Sequence, residues 1–387
     1  MQAYSRNDLY NKFIHEQSSD AFLDKSIGAN SYRSILEKYP HRLMTPNYFI
    51  RIALGLLTIV AILFSGLLAA LIFSTTSNNG ATILCIFLSI LTYVALELLV
   101  QRRHFYNAGV DNLLLCFTVI FLVSTVVISE PSNIYLAGSF IAMLTSIWLC
   151  VRFTDAFMAC VSYLSFILFI FFWYITLGPF AKATAPFVIM AFSAGTYLLM
   201  NMLIKRDSLW MYQFSCKTII VLTLLTFYAA GNYFVVREVG NEMYNLHLGT
   251  KNQIPFGWLF WILTVAIPPA YFIYGILKKN LLFMRVGLCL AMLSILTFRF
   301  YYAILPAEVA MTIAGLLLTL TSYFLTRYLK SSRHGFSFDH TKGTSKNLLN
   351  AQSLIIAQTL GTKTHTETKT VEFGGGSFGG GGSGSTY

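Results

Sequence analysis

Long apolar runs separated by short polar breaks dominate the chain beyond residue 50. Ten of these runs reach the roughly 17–25 residues that an α-helix needs to cross a bilayer. They lie at 50–73, 81–100, 112–129, 134–151, 156–178, 184–204, 216–236, 256–277, 281–298 and 308–328. Runs this long and this apolar show no period-two alternation, and in hydrocarbon a single segment satisfies its backbone only as a helix. The pattern predicts an all-α fold: a polytopic transmembrane bundle of about ten spanning helices, occupying residues 48–330. Two runs are marked by their flanks or length. The run at 134–151 is short, and 281–298 is entered past Lys278 and Lys279 with Arg285 one turn in. A long arginine stem carries its charge back to the interface, so that span is kept.

The two ends read differently. Residues 1–47 are polar, with no apolar segment of the kind a cleavable signal carries. They predict a cytoplasmic helical segment of two short helices. Asn7 would cap the first; the second spans about 30–39 and places Tyr32, Ile35, Leu36 and Tyr39 on one face. Some 45 residues are too few for a self-sufficient core, so this pair must pack on the bundle, a copy or a partner. In the tail, 331–387, the stretch 345–360 predicts an amphipathic helix. Residues 362–370 carry Thr at every even position and predict an extended segment, and 373–387 is Gly-rich and predicts disorder.

Composition sharpens this picture. Of 387 residues, 56% are apolar and only 11% charged, less than half the charged share of a soluble domain, about 25%. The formal charge of +11 would suggest nucleic acid if it were clustered on a soluble face, but it is distributed by loop and no nucleic-acid motif accompanies it. Placing the N-terminus inside assigns eight Lys and Arg to inner loops (Arg102, Arg103, Arg152, Lys205, Arg206, Lys217, Lys278, Lys279) and four to outer ones (Lys182, Arg237, Lys251, Arg299). The positive-inside rule then predicts both termini in the cytoplasm. Aromatic pairs such as Tyr48-Phe49, Phe105-Tyr106 and Tyr301-Tyr302 fall where headgroups lie. The small-residue pairs Gly66/Ala70, Ala191/Gly195 and Ala310/Ala314 predict close helix packing. All six cysteines lie in or beside apolar runs without a CxxC pair, as small packing residues do.

The candidate chemistry is sparse. There is no HExxH, GxSxG or phosphate-binding loop, and the seven histidines are scattered. No catalytic residue, cofactor or metal ligand is therefore assigned, and the expectation leans away from an enzyme. Four positions in the spans stand out. Glu97 is the one acidic residue read as well inside a span; it pairs with Arg102 or Arg103 in the structural reading and couples ions in the functional one. Pro268 and Pro269 remove two backbone donors mid-span and predict a kink or break. Asn232, near the end of the seventh run, is suited to an interhelical hydrogen bond. The segment 237–255 is the longest outer loop and suits a surface helix or lid.

Two stretches carry resemblances. KSIGANSYRSILEKYP (residues 25–40) resembles the cytoplasmic opening of bacterial multi-pass membrane proteins of unknown function; Ile27 and Tyr32 fit, while Ser31 stands where that pattern has an acid. The end FGGGSFGGGGSGSTY is similar to the Gly-rich, aromatic-terminated tails of bacterial envelope proteins, including those with TPM domains, although only the tail is shared. An engineered glycine–serine linker is the other origin of such a tail. The resemblances imply a bacterial inner-membrane setting and no chemistry. The resulting expectation is a membrane scaffold or interaction protein with protein partners at its cytoplasmic ends, the bilayer as its solvent and no nucleic acid. The alternative is a small-solute transporter or permease. The oligomeric state is left open. Reporter fusions test the topology. Fusions at residues 77 and 245 should report outside and a fusion at 385 inside; an outside signal at 385 would break the N-in, C-in assignment.

Overall fold

In the computed structural model, residues 2–73, 78–244 and 254–301 are described, with isolated positions from 312 to 327. The predicted span at 308–328 and the tail 331–387 therefore lie outside the described residues. The chain divides into Met1–His340 and Thr341–Tyr387, and every described helix belongs to the first unit.

The protein is an all-α, multi-pass membrane protein. Helices α1 (Arg6–Leu23) and α2 (Ala29–Lys38) precede the bundle. Nine long apolar helices follow among the described residues: α3 (Tyr48–Phe73), α4 (Asn78–Arg103), α5 (Val110–Ile128), α6 (Ile134–Phe153), α7 (Ala156–Ile175), α8 (Pro179–Ile204), α9 (Gln213–Gly231), α11 (Gly257–Leu277) and α12 (Leu281–Tyr301). A 3₁₀ turn, Asp207–Tyr212, precedes α9, and a short helix α10 (Tyr233–Tyr244) follows it. Each 19–26-residue span is about 28–39 Å long at 1.5 Å per residue, enough for a core of about 30 Å. Leucines such as Leu56, Leu63, Leu67 and Leu71 of α3 are exposed, as lipid-facing side chains are in a solvent no less apolar than themselves.

Consecutive helices pack as hairpins: α4 on α5, α6 on α7, α8 on α9 and α11 on α12. Three of these pairs are bridged by a serine hydroxyl that donates to a carbonyl of the neighbouring helix. Ser89 Oγ reaches Thr118 O at 3.2 Å, Ser193 Oγ reaches Thr223 O at 2.6 Å, and Ser294 Oγ reaches Thr264 O at 2.9 Å. Two apolar cores form. One joins α3–α7 through Ile62, Leu96, Leu115, Leu149 and Met158; the other joins α9, α11 and α12 through Leu224, Ile267, Phe283 and Leu290.

The N-terminal segment packs on the bundle at the end that bears the 104–109 and 154–155 connections, here called the N-terminal face. Ala3 N donates to Arg152 O at 2.9 Å and Tyr4 Oη to Phe105 O at 3.0 Å. Met44 pairs with the same connection, its N–H donating to His104 O at 2.9 Å and its carbonyl accepting from Tyr106 N at 3.2 Å. Tyr10 and Phe13 of α1 lie against Trp210. Gly109, at φ +90°, lets the start of α5 approach α3, because a Cβ there would fall 2.3 Å from Arg51 O.

Several boundaries depart from those expected from the sequence. The position N-terminal to α1 is Ser5, and Asn7 lies inside the helix, so Asn7 is not its cap. The run read as 216–236 is interrupted: α9 ends at Gly231, Asn232 is extended, and the separate helix α10 starts at Tyr233. The Ala191/Gly195 pair is exposed, with nothing near a Cβ at Gly195; the close approach is made by Gly275 and Gly287 instead. A Cβ at Gly287 would sit 2.8 Å from Phe272 N and 3.1 Å from Pro268 O, so α12 packs directly on the α11 backbone.

The proline pair does not break α11, which runs from Gly257 to Leu277 through both residues. Pro268 cannot donate to the carbonyl four residues earlier, that of Thr264. Ser294 Oγ supplies the missing donor to that oxygen. Removing this hydroxyl by Ser294→Ala should cost about 0.6–1.7 kcal/mol in detergent unfolding. In a Pro268→Ala background, where residue 268 regains its N–H, the cost should fall toward zero. Equal costs in both backgrounds would show that the hydroxyl does not stand in for the missing donor.

Candidate functional site

Two arrangements of polar groups are built into the bundle. The first lies at the N-terminal face. Asp155 caps α7, accepting from Met158 N at 2.8 Å, and Asp111 in the first turn of α5 accepts from Ala108 N at 2.8 Å. Both are buried. Carboxylates are favoured at helix N-termini, where they meet orphan N–H groups and the positive end of the helix dipole. In the amide orientation that satisfies both neighbours, Asn112 accepts from Arg51 Nη2 at 2.9 Å and donates to Asp111 Oδ1 at 3.2 Å. Tyr4 closes over this region, with its ring edge-on to Tyr106 at 5.2 Å and to Phe153 at 6.4 Å. Burial, with Asp111 nearby, keeps the Tyr4 phenol protonated well beyond its ordinary range. Burial likewise raises the Tyr106 phenol and the Asp155 carboxyl, the latter helped by Asp111 and opposed by its cap bond and by Arg51.

Glu97 belongs to the rim of this face. It pairs with Arg152 of α6, not with Arg102 or Arg103, which are exposed, and it accepts from Gln101 Nε2 at 2.9 Å. Spacing along α4 favoured the local partners, but α6 brings a guanidinium with several N–H donors across the bundle.

Asn232 makes the interhelical bond expected of it. Its amide nitrogen donates to Thr297 Oγ1 at 3.1 Å and to Tyr228 Oη at 2.8 Å, while its oxygen caps α10 through Phe234 N at 2.9 Å and Val235 N at 3.3 Å. Tyr233 N, the other N–H at this helix start, donates to Thr264 Oγ1 at 2.9 Å. Asn232 thus belongs to the junction of α9, α10, α11 and α12, Pro268 is buried against Gly287 of α12, and Pro269 is exposed. Among the described residues, no three His, Cys, Asp or Glu come together as metal ligands.

The second arrangement lies in the later half of the bundle. Tyr163 of α7, Ser193 of α8 and Thr226 of α9 meet in mid-span: Tyr163 Oη donates to Ser193 Oγ at 3.2 Å, and Ser193 Oγ lies 2.9 Å from Thr226 Oγ1. Ser193 and Thr226 in turn reach the backbone carbonyls of Thr223, at 2.6 Å, and Leu222, at 2.9 Å. The hydroxyl protons form a chain from Tyr163 that ends on main-chain oxygens.

A cavity lies on each side of this cluster. Toward the N-terminal face, one of about 350 Å³ is lined by Ser193, Thr223, Tyr197, Tyr271, Tyr274 and Phe283. Toward the opposite face, one of about 680 Å³ is lined by Phe171, Lys182, Pro186, Ile189, Thr226 and Phe260, among others, with Val235, Val236 and Val239 of α10 on its wall. On α8 the two linings approach within one turn, Ile189 to Ser193, about 6 Å at 1.5 Å per residue. These volumes fall in the range of small-molecule sites, roughly 300–1,000 Å³.

None of Glu97, Pro268, Pro269 or Asn232 lines either cavity. Sequence reasoning missed Asp111, Asp155, Tyr163, Ser193 and Thr226. Asp111 was set outside the third run by one residue, and single hydroxyls inside apolar runs look alike until their partners on other helices are known. No family model, curated protein or solved structure matches the chain.

The raised carboxyl of Asp155 sets a pH dependence. A carboxyl whose pKa is raised by folding contributes stability that is fully present below the ordinary carboxylate range and lost as pH rises through the raised value. Asp155→Asn keeps the cap acceptor and cannot ionise, so its thermal midpoint in detergent should vary less with pH above that range than the parent's. Asp155→Ala should lie about 1 kcal/mol below Asp155→Asn at all pH values through the missing cap. An unchanged pH slope in Asp155→Asn would assign the titration to another group.

Proposed function

We propose that the protein is a small-solute permease of a bacterial inner membrane, with its N-terminal face in the cytoplasm, and that the solute path runs between α7, α8, α9 and α11. The observation that carries this reading is the pair of cavities meeting at the Tyr163–Ser193–Thr226 cluster. A path closed in the middle and hollow on both sides is what alternating exposure of a site requires. The barrier is a few hydroxyl contacts and one turn of α8, and net hydrogen-bond energies of about 1 kcal/mol each are small enough to be exchanged during a cycle. The orientation rests on the eight-to-four distribution of Lys and Arg between the faces, and the bacterial setting on the two short resemblances.

The scaffold reading keeps one supporting observation. Helix α2 buries no residue, so its Tyr32, Ile35 and Leu36 face is only half-covered, as a partner-binding helix would be.

Flux into proteoliposomes separates the two. The permease reading expects saturable uptake of small organic solutes by the purified chain. Ser193→Leu, which fills the junction, should abolish it. Thr226→Val, which removes the hydroxyl's contacts with both Ser193 and Tyr163, should raise it at least about fivefold. Removal of 331–387 should leave uptake intact. Absence of saturable uptake, together with a deletion of 1–47 or 331–387 that abolishes the cellular phenotype, favours the scaffold.

A further inference from the structure

Helix α1 meets the rest of the molecule on two sides. Asp8, Asn11 and His15 recur at helical spacing and meet the connector that leads to α3. Asn11 Nδ2 donates to Pro40 O at 2.6 Å, Asp8 Oδ1 accepts from Arg42 N at 3.4 Å, and the His15 and His41 rings lie 4.7 Å apart. On the other side, Tyr10 and Phe13 pack on Trp210 in the 3₁₀ turn between α8 and α9. Helix α1 is therefore a strap at the N-terminal face, joining the lead-in of α3 to the turn before α9.

The imidazole pair in this strap is poorly prepared for a proton. Among the described residues, His15 Nε2 and His41 Nδ1 are buried and meet no hydrogen-bond partner. A proton added to such a nitrogen brings a charge with no acceptor to hold it. The charged and titratable groups of α1 that face His41 are His15, Lys12 and Asp8. Lys12 is paired with Glu16 and lies over the Tyr106 ring at 4.7 Å, while Asp8 already holds the Arg42 N–H. Burial, then His15 and Lys12, lowers the His41 pKa against the opposing effects of Asp8 and the Leu43 backbone.

We infer that the His15–His41 contact is a pH-sensitive latch: α1 stays docked on the connector while His41 is neutral and is released when His41 takes up a proton. The latch goes beyond the permease reading and does not depend on it. A group whose pKa is lowered by docking contributes stability that is fully present above the ordinary histidine value, about 6.5, and lost as pH falls through the lowered one. The latch thus responds to acidification of the compartment that the N-terminal face meets.

The test is amide hydrogen exchange of the full-length chain in nanodiscs, read by mass spectrometry and compared between variant and parent at each pH. An isolated helix of 18 residues is marginal in water, so release exposes the amides of α1. Between about pH 8 and about pH 5.5, α1 protection in the parent should fall at least about fivefold more than in His41→Asn, the scale of one partly screened charge contact. Protection of α4–α7 should hold throughout. His41→Lys, charged at both ends of that range, should leave α1 as weakly protected at high pH as the parent is at low pH. The parent alone should show its α1 transition below about pH 6.5 and above the carboxylate range near about 4, a measurement that stands even if a variant does not fold. An equal fall in parent and His41→Asn, full α1 protection in His41→Lys, or a parent transition in the carboxylate range overturns the latch. Loss of α4–α7 protection together with α1 overturns it too, because the bundle would then be opening as a whole.

Discussion

Inside a bilayer there is no water to satisfy a backbone N–H or C=O, and every such group must find its partner within the protein. The long helices meet most of this demand internally; the remainder falls on side chains. Hydroxyls carry it here. Ser89, Ser193 and Ser294 each donate to a carbonyl of the paired helix, and most other buried hydroxyls bond back to a carbonyl three or four residues earlier, as Thr58, Thr118 and Ser146 do. The proline pair in α11 is tolerated on the same terms, with Ser294 serving the Thr264 oxygen that Pro268 leaves without its usual donor. Asn232 and Thr264 together serve the first three N–H groups of α10.

This constraint divides the bundle into regions of different character. In the earlier half, the buried carboxylates lie at the N-terminal face: Asp111 and Asp155 sit at helix starts, Glu97 on the rim is matched by Arg152, and Tyr4 packs over the region. Carboxylates there are held by N–H donors and guanidinium groups, which offset the desolvation that burial imposes. The later half uses neutral hydroxyls in mid-span instead. Neutral groups cost less to move than charges, and that is where the two cavities lie.

The glycines follow the same division of labour. Gly287 and Gly275 bring α11 and α12 close enough that a Cβ would strike backbone, whereas the small pair Ala191/Gly195 faces outward. Small residues four apart permit close approach but do not decide which helix face is turned inward. That choice depends on the partner surface, and here the partner to Gly287 is the turn of α11 around Pro268.

The sequence by itself determined the solvent and the element type. Runs of about twenty apolar residues have one low-energy form in hydrocarbon, so the nine spans among the described residues, their approximate bounds and the all-α class were legible. It also made Asn232 readable as a hydrogen-bonding residue, because a buried amide must find partners. The tertiary structure alone decided who those partners are. Glu97 has Arg102 and Arg103 within about one turn in sequence, yet it pairs with Arg152, 55 residues away, and Tyr163, Ser193 and Thr226 form a cluster across three helices with no shared motif. Periodicity fixes positions along a helix because it is a local property. The rotation of each helix about its axis is fixed by packing against its neighbours, and that rotation decides which hydroxyls meet and where the cavities are left.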